Sequence, residues 1–596
     1  MPAPLPPISP KALRDLGHAR PDVLIVSGDA YVDHPSFGAA VVTRHLESLG
    51  LVVAVAAQPP WQDPEYLREF GEPRLFIGVT AGNMDSMVNH MTAHRKKRHD
   101  DAYSPGGRNG KRPNRASVVY AQLARRAFPE SLVLMGGIEA SLRRFSHYDY
   151  WSDSLRRSAL VDGRADLLVF GMAELALRDI VERLSPLARV KREHASLLHG
   201  IRGTGFVVGK REVAARRLPL DDAETLELGS ERWTVRRIPS HERILEDRKL
   251  LAHATRIVER GANHHRAEAI VQRHGEAFLV VAPPARPLMS AELDAVHELP
   301  YAGDAHSDYS EVIPAAEMIR CSVQSNRGCF GGCSFCAIAL HEGRFVQSRS
   351  QASIVREIGR LVRRPYFRGT VTDLGGPTAN TWQMAGRDTN MCAACTRPSC
   401  IHPHVCPNLA TDHGPLPRLL EKARGIDGVK HLLVASGLRY DLALNERGFW
   451  NDLLRYHVGG HLHVAPEHVD ADVLRLARKP DYALFERFRE RFEAARRKAG
   501  VERYLNPYFI SGLPGSTDAR MRRLVETLRT ERWRPRQVQS FIPTPGSAAT
   551  AMFYAGVNPD RLEEEVPMPR DLRAKIRQHQ MLTEGLPPRR RPSRRR

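Results

Sequence analysis

With 596 residues the chain is too long for one ordinary core, and a composition of 42% apolar and 26% charged residues describes a folded protein of roughly two to four domains. No run approaches the roughly 18 to 20 apolar residues of a membrane span. The opening MPAPLPPISPKALRDLG lacks the basic start and apolar stretch of a secretory signal, which excludes an exported or membrane-spanning reading and makes a cytoplasmic one the expectation.

Residues 1–20 are expected to be a disordered tail. A short β-branched strand at 23–26 is followed by a helix over 36–49, closed by Gly50, and a strand over 51–56. Strands at 75–79, 132–135 and 167–170, with a helix at 114–127, continue the alternation, so 21–195 reads as a Rossmann-like, doubly wound parallel sheet. Over 196–312 the alternation weakens, and this stretch is expected to be a connector with its own helices. A second series then begins, with strands at 319–323, 370–374, 432–435, 462–465, 504–510 and 538–542 and a helix at 352–362. Six strands with crossover helices predict a partial β/α barrel over 313–556, interrupted by a Cys-rich insertion at 388–410. The segment 557–596 is polar and ends in RRRPSRRR, as expected of a basic, mostly disordered tail.

The formal charge of +20 sits largely in short runs, RKKR at 95–98 and the arginine-rich end. Solvated surface is the first reading of such runs and nucleic-acid contact the second. No RNA-recognition motif, zinc-finger spacing or helix-turn-helix supports the second.

All eight cysteines lie between Cys321 and Cys406. Disulfides would staple the whole chain, so this clustering favours metal ligation. RGCFGGCSFC places Cys329, Cys333 and Cys336 as C-x3-C-x2-C directly after the first strand of the second series. Three thiolates on a four-iron cubane leave one iron open for a ligand, whereas zinc wants four ligands in paired spacing. Gly328, Gly331 and Gly332 let a short loop wrap a bulky cluster. A second group, Cys392, Cys395, Cys400 and Cys406, lies in MCAACTRPSCIHPHVCPNL, with His402 and His404 as alternative ligands. It suits a separate iron–sulfur cluster or a structural zinc, and the uneven spacing leans towards iron–sulfur. Cys321, in the first strand, reads as packing.

The triplet and its position resemble the radical S-adenosylmethionine (SAM) superfamily. The resemblance implies a 4Fe-4S cluster on Cys329, Cys333 and Cys336, SAM on the open iron, one-electron cleavage of SAM to a 5′-deoxyadenosyl radical, and a reductant such as flavodoxin or ferredoxin. It implies SAM contacts at Gly375 and Gly376, although Pro377 stands where many members carry an acid, and at Ser436 and Arg439. A plain glycine turn and an Arg439–carboxylate pair are the competing readings. Glu467 and His468, at the end of the fourth strand, are candidates for proton handling, against a solvated charge and a core histidine. No catalytic residue is assigned beyond these.

DAYVDHPSFGAA (29–40), QPPW (58–61), AGNMDSMVNHMTA (81–93), GGIEASLRRFSHYDYWSD (136–153) and HEGRFVQSRS (341–350) carry a closer similarity, to YgiQ-type radical SAM proteins. Ala173 in FGMAE departs from the usual glycine, and a further C-terminal segment usual in that family is not found after the sixth strand. The N-terminal sheet resembles cobalamin-binding domains, with LVLMGGIEAS and ADLLVFGMAE in the matching layout and His34 as a candidate cobalt ligand. The ligand pattern is not met cleanly, so a vestigial or substrate-reading module is preferred and cobalamin is not expected. The polar runs 83–103 and 143–153 are expected to be functional, a surface interface being the alternative. The substrate is unnamed. Methylthiotransferase-like sulfur insertion, cobalamin-dependent methylation and hydrogen-abstraction rearrangement all stay open, and the rival class is a metal-stabilised nucleic-acid-binding protein.

Overall fold

Strands such as VLIVS and VAVAA are apolar at almost every position, and a strand of that kind needs cover on both faces. The computed structural model describes residues 4–210, 220, 224–228, 231–444, 449–533 and 538–585. In it the first five strands of the large N-terminal sheet are β1 (Val23–Ser27), β2 (Val53–Ala57), β3 (Phe76–Thr80), β4 (Val133–Gly136) and β5 (Leu167–Val169). Successive side chains point to opposite faces. Val23, Ile25, Val53 and Val55 accordingly enter one core, and Leu24, Val26, Ala54 and Ala56 the other. The five pair in parallel in the order β2-β1-β3-β4-β5, the doubly wound arrangement expected, with the strand order reversing at β1/β3.

The stretch 196–312 is not a connector. Its strands β6 (Thr204–Gly209), β7 (Thr225–Leu228), β8 (Glu231–Ile238), β9 (Glu268–His274) and β10 (Ala277–Val281) extend the same sheet to ten strands, beyond β5 in the order β6-β10-β9-β8-β7. β5 is short and its outer edge carries unpaired backbone groups, which β6 satisfies by pairing antiparallel with it. Sequence periodicity misses this because most of the added strands join by antiparallel pairing, while β8 and β9 pair in parallel across the helices His241–Glu246 and Lys249–Arg260.

The second unit has β11 (Ser322–Gln324), β12 (Asp373–Gly375), β13 (His431–Leu432), β14 (His461–Glu467), β15 (Tyr504–Ser511) and β16 (Val538–Ser540). β11 pairs β12; Thr370–Val371, leading into β12, pairs β13; Leu438 bridges Val464 on β14; and β14, β15 and β16 follow, all in parallel. This is the six-stranded partial barrel expected. Its first strand starts later than the sequence suggests, because Pro314 opens a helix over Pro314–Ile319.

Both expected tails are partly folded. Residues 10–15 form a helix capped by Ser9, Leu13 is buried, and Pro7 O accepts the Val55 N–H at 2.9 Å on the sheet edge. At the other end a strand pair over 557–565 and a helix over Leu572–Glu584 pack on the barrel. Lys575 and Gln578 are buried polar anchors of that helix, Lys575 Nζ donating to Phe541 O at 2.7 Å, so its polar composition conceals a packed face. The arginine-rich end, 586–596, lies outside the described residues.

Candidate functional site

The C-x3-C-x2-C loop leaves the barrel just after β11, where 326–327 pairs antiparallel with 347–348. Glu342 accepts the Gly328 N–H at 2.8 Å and Gly343 O accepts the Cys329 N–H at 3.1 Å, so the loop is held from behind. Gly328, at φ 78°, has no room for a side chain, since a Cβ would lie 2.1 Å from Phe345 O. Cys329 and Cys336 are partly buried. Burial and the neighbouring Cys333 raise both thiols above their ordinary pKa, Cys336 to about 12, while Arg439 opposes the rise at Cys329. Forming thiolates here therefore calls for a cation to neutralise them.

One such cation is supplied by the third strand's exit. Arg439 is buried, lies 3.8 Å from Cys333 Sγ and forks onto Asp441 at 3.0 and 2.6 Å. Burial disfavours its charge, yet Asp441 and the thiols of Cys333 and Cys329 hold its pKa well above the usual value. The carboxylate pair and the position beside the cysteines, which compete in the sequence, thus coexist. Ser436 bonds Asp373 on β12 through its hydroxyl and through its N–H at 3.1 Å. A Cβ on Gly375 would lie 2.7 Å from Ser436 Oγ, and one on Gly376 2.6 Å from Asn326 O. These glycines allow three strand ends to meet at the face carrying the cysteine loop, and Thr378, just beyond, reaches within 4.0 Å of Cys329 Sγ.

Glu467 and His468 part company. Glu467 is buried at φ 68°, a strained setting for a non-glycine residue, with Lys479 Nζ 3.7 Å away. Burial raises its pKa, opposed by Lys479 and Arg439. His468 is a core histidine: it is fully buried, its Nδ1 accepts the Asp470 N–H at 3.0 Å, and burial lowers its pKa to about 4.

The second cysteine group leans directly on the first. Cys400 N–H donates to Phe330 O at 3.0 Å, Ser399 Oγ donates to Gly331 O at 2.7 Å, and a Cβ on Gly332 would lie 2.3 Å from Pro398 O. Burial raises the pKa of Cys400, and Cys395, Cys406 and Cys392 add to the rise while Arg344 opposes it, so the four thiols face one neighbourhood. Asn263, a residue the sequence did not single out, donates to the carbonyls of Cys392 and Cys395 at 2.9 and 3.1 Å. Among the described residues no three His, Cys, Asp or Glu side chains surround a single-ion position. A cubane of four irons spreads its thiolates more widely than one ion with sulfur at about 2.3 Å. Cys321 is half-buried against the barrel core, as expected of packing.

Residues 5–322 match the radical SAM N-terminal family and 323–528 the radical SAM superfamily. A UPF0313 protein of Rhodopseudomonas palustris is 47% identical over 94% of this chain and 83% of its own length. The chain belongs to the UPF0313, YgiQ-type family of radical SAM proteins. It is 44% identical to a UPF0313 protein of Pseudomonas aeruginosa, over 94% of this chain and 80% of that one. Among solved structures, the radical SAM methyltransferase TsrM of Kitasatospora setae, with cobalamin and a [4Fe-4S] cluster bound, aligns at TM-score 0.48 and 16% identity, covering 90% of this chain and 78% of that one. The cobalamin-dependent radical enzyme OxsB aligns at TM-score 0.42 and 9% identity, over 86% of this chain and 52% of the other. Membership of this family makes the chain an enzyme, and the family implies a 4Fe-4S cluster and SAM. No helix among the described residues is long and apolar enough to cross a membrane.

In this radical SAM protein the N-terminal sheet meets the barrel around a cavity of about 410 Å³. It opens at the β1/β3 switch point, where doubly wound sheets bind ligands. Gly38, Gly78, Asn83, Gly137 and Glu174 line it from the sheet side, and Arg327, two residues before Cys329, from the barrel side. Arg327 and Glu174 form a buried ion pair. His34 lines a different, smaller cavity with His297 and Tyr301. The polar runs of the N-terminal half are internal in part: Asp101 joins Arg112 at 3.0 Å, Asp149 joins Arg115 at 2.7 Å and Asp85 pairs with Arg143, whereas 96–100 is exposed. The C-terminal helix also brings His579 beside His94 and Ser511, a grouping that no sequence spacing signals.

Proposed function

We propose that this enzyme holds a 4Fe-4S cluster on Cys329, Cys333 and Cys336 and binds SAM at the open iron. The observation that supports this is the placement of three cysteines on one glycine-rich loop at the barrel's first strand end, beside the buried Arg439 guanidinium, with burial raising the thiol pKa of Cys329 and Cys336. Held by these three cysteines, a 4Fe-4S cluster would supply the one-electron reductive chemistry that cleaves SAM to methionine and a 5′-deoxyadenosyl radical. The chain's own residues do the rest. Arg439 offsets thiolate charge, and Asp441 fixes its orientation through two parallel bonds. Gly375, Gly376 and Ser436 form the strand-end floor that SAM would contact. A one-electron donor of the flavodoxin or ferredoxin type completes the system, and the cytoplasm is the expected setting. The test is anaerobic incubation of the iron-reconstituted protein with dithionite and SAM: 5′-deoxyadenosine is the expected product, and its absence contradicts the proposal.

We further assign Cys392, Cys395, Cys400 and Cys406 to a separate metal site. The three contacts tying their loop to Phe330, Gly331 and Gly332 support a brace for the catalytic loop. Iron and zinc analysis of the wild type and of the variant with all four changed to Ala separates the outcomes. Loss of about four irons indicates a cubane and loss of about one zinc a closed zinc site. Unchanged metal content rejects both. We assign the 410 Å³ cavity at the sheet's switch point to reading the substrate.

A further inference from the structure

A buried guanidinium ordinarily keeps a carboxylate beside it, because an unpaired charge in the interior costs several kcal/mol. Among the described residues nine arginines are buried. Arg44, Arg112, Arg143, Arg327, Arg349, Arg439 and Arg478 each pair with an Asp or Glu. Arg144 and Arg344, only 8% and 6% exposed, form no ion pair among the described residues. The two line the same cavity, of about 80 Å³, between the end of β5, the antiparallel part of the sheet and the segment following the C-x3-C-x2-C loop.

Each has bonding capacity left over. Arg144 gives one N–H to Ser141 O at 2.6 Å and otherwise sits against the rings of Phe145 and Phe170, 5.5 and 5.1 Å from their centres. Arg344 reaches Cys395 Sγ at 3.8 Å through one terminal nitrogen, and the other has no hydrogen-bond partner. The carboxylates on the cavity wall are engaged elsewhere: Glu268 with Arg266 at 2.7 Å and Arg236 at 3.1 Å, Glu342 with the Gly328 N–H at 2.8 Å. His264, also on the wall, reports the local field. Burial, His265 and the nearby arginines Arg202, Arg344 and Arg286 depress its pKa to about 3.

We propose that this cavity is an anion site in which Arg144 and Arg344 receive the phosphate or carboxylate group of a ligand. Guanidinium forks match the paired oxygens of both groups. The space is small beside the 410 Å³ cavity and suits one oxoanionic group. The site stands directly behind the catalytic loop, for Glu342 and Gly343 on its wall are the residues that bond the backbone of Gly328 and Cys329. An anion there pairs with the Arg144 charge and with the terminal nitrogen of Arg344 that does not face Cys395 Sγ, and steadies the loop.

The test uses the full chain, with inorganic phosphate and acetate titrated separately against chloride at constant ionic strength. Saturable binding by calorimetry, with a matching rise in Tm, is the expected result. Arg144→Met and Arg344→Met are each expected to weaken it at least tenfold, about 1.4 kcal/mol. Methionine in place of an unpaired buried charge removes a desolvation cost, so both variants are expected to fold. A matched change at the exposed Arg68 is expected to leave binding intact. Phosphate binding alone identifies a phosphoryl ligand, and acetate binding alone a carboxylate. No saturable binding of either anion, or equal binding by both variants and the wild type, overturns the proposal.

Discussion

Replacing Arg439 by Met separates what this residue does for the fold from what it does for the cysteines. The side chains of Arg439 and Asp441 are 10% and 5% exposed, and their bidentate pair is 2.6 Å at its shorter contact. Removing one member of a buried pair costs about 3–5 kcal/mol, because the other charge is stranded. A second effect acts on the thiols: at 3.8 Å from Cys333 Sγ, a full positive charge attracts a thiolate by about 4 kcal/mol at an effective dielectric of roughly 20. The double variant Arg439→Met/Asp441→Leu removes the stranded charge but not the second effect. Urea unfolding of the metal-free proteins is expected to show the single variant destabilised by several kcal/mol and the double variant near wild type. Iron content and SAM cleavage are expected to be low in both. A double variant that is stable and also fully loaded and active refutes the role given to Arg439 beside the cysteines.

Acid should weaken the fold through His468. Its folded pKa of about 4 lies below the unfolded value of 6.5, so the unfolded chain binds more protons between these limits, and stability is lost as pH falls through them. That is about 2 kcal/mol between pH 7.5 and 5 for this one residue, and urea unfolding of His468→Gln should show a pH slope smaller by that amount; an unchanged slope contradicts the assignment. Gly332→Ala forces a Cβ to 2.3 Å from Pro398 O at a residue with φ 61°. It is expected to cost at least about 1 kcal/mol and to lower iron content, and normal values of both would deny that the second cysteine loop braces the first. Hydroxocobalamin passed over the protein is expected to elute free and to leave SAM cleavage unchanged. A co-eluting corrin absorbance would replace the substrate-reading assignment of the large cavity.

The parallel half of the sheet and the barrel strands are legible because apolar runs such as VLIVS and their spacing by helical segments are local signals. The triplet Cys329, Cys333, Cys336 is legible for the same reason: loop, ligands and glycines lie within ten residues. The mostly antiparallel extension over 204–281 and the anchoring of the C-terminal helix were hidden, since pairing of β6 with β5 and burial of Lys575 are decided by partners distant in sequence. HYDYWSD reads as an unusually polar run because its charges are counted without their partners. Asp149 is in fact buried on Arg115, thirty-four residues earlier. Arg144 and Arg344 carry no sequence signal, for what distinguishes them is the lack of a carboxylate in three dimensions.

The central claim is that Cys329, Cys333 and Cys336 hold the cluster that cleaves SAM. The most direct measurement compares wild type with the triple Cys→Ala variant after anaerobic reconstitution, recording the electron paramagnetic resonance of the dithionite-reduced cluster and the 5′-deoxyadenosine formed from SAM. The wild type is expected to show a reduced 4Fe-4S signal that SAM perturbs, together with the product, and the variant neither the SAM-sensitive signal nor the product. Full cleavage of SAM by the variant would contradict the account.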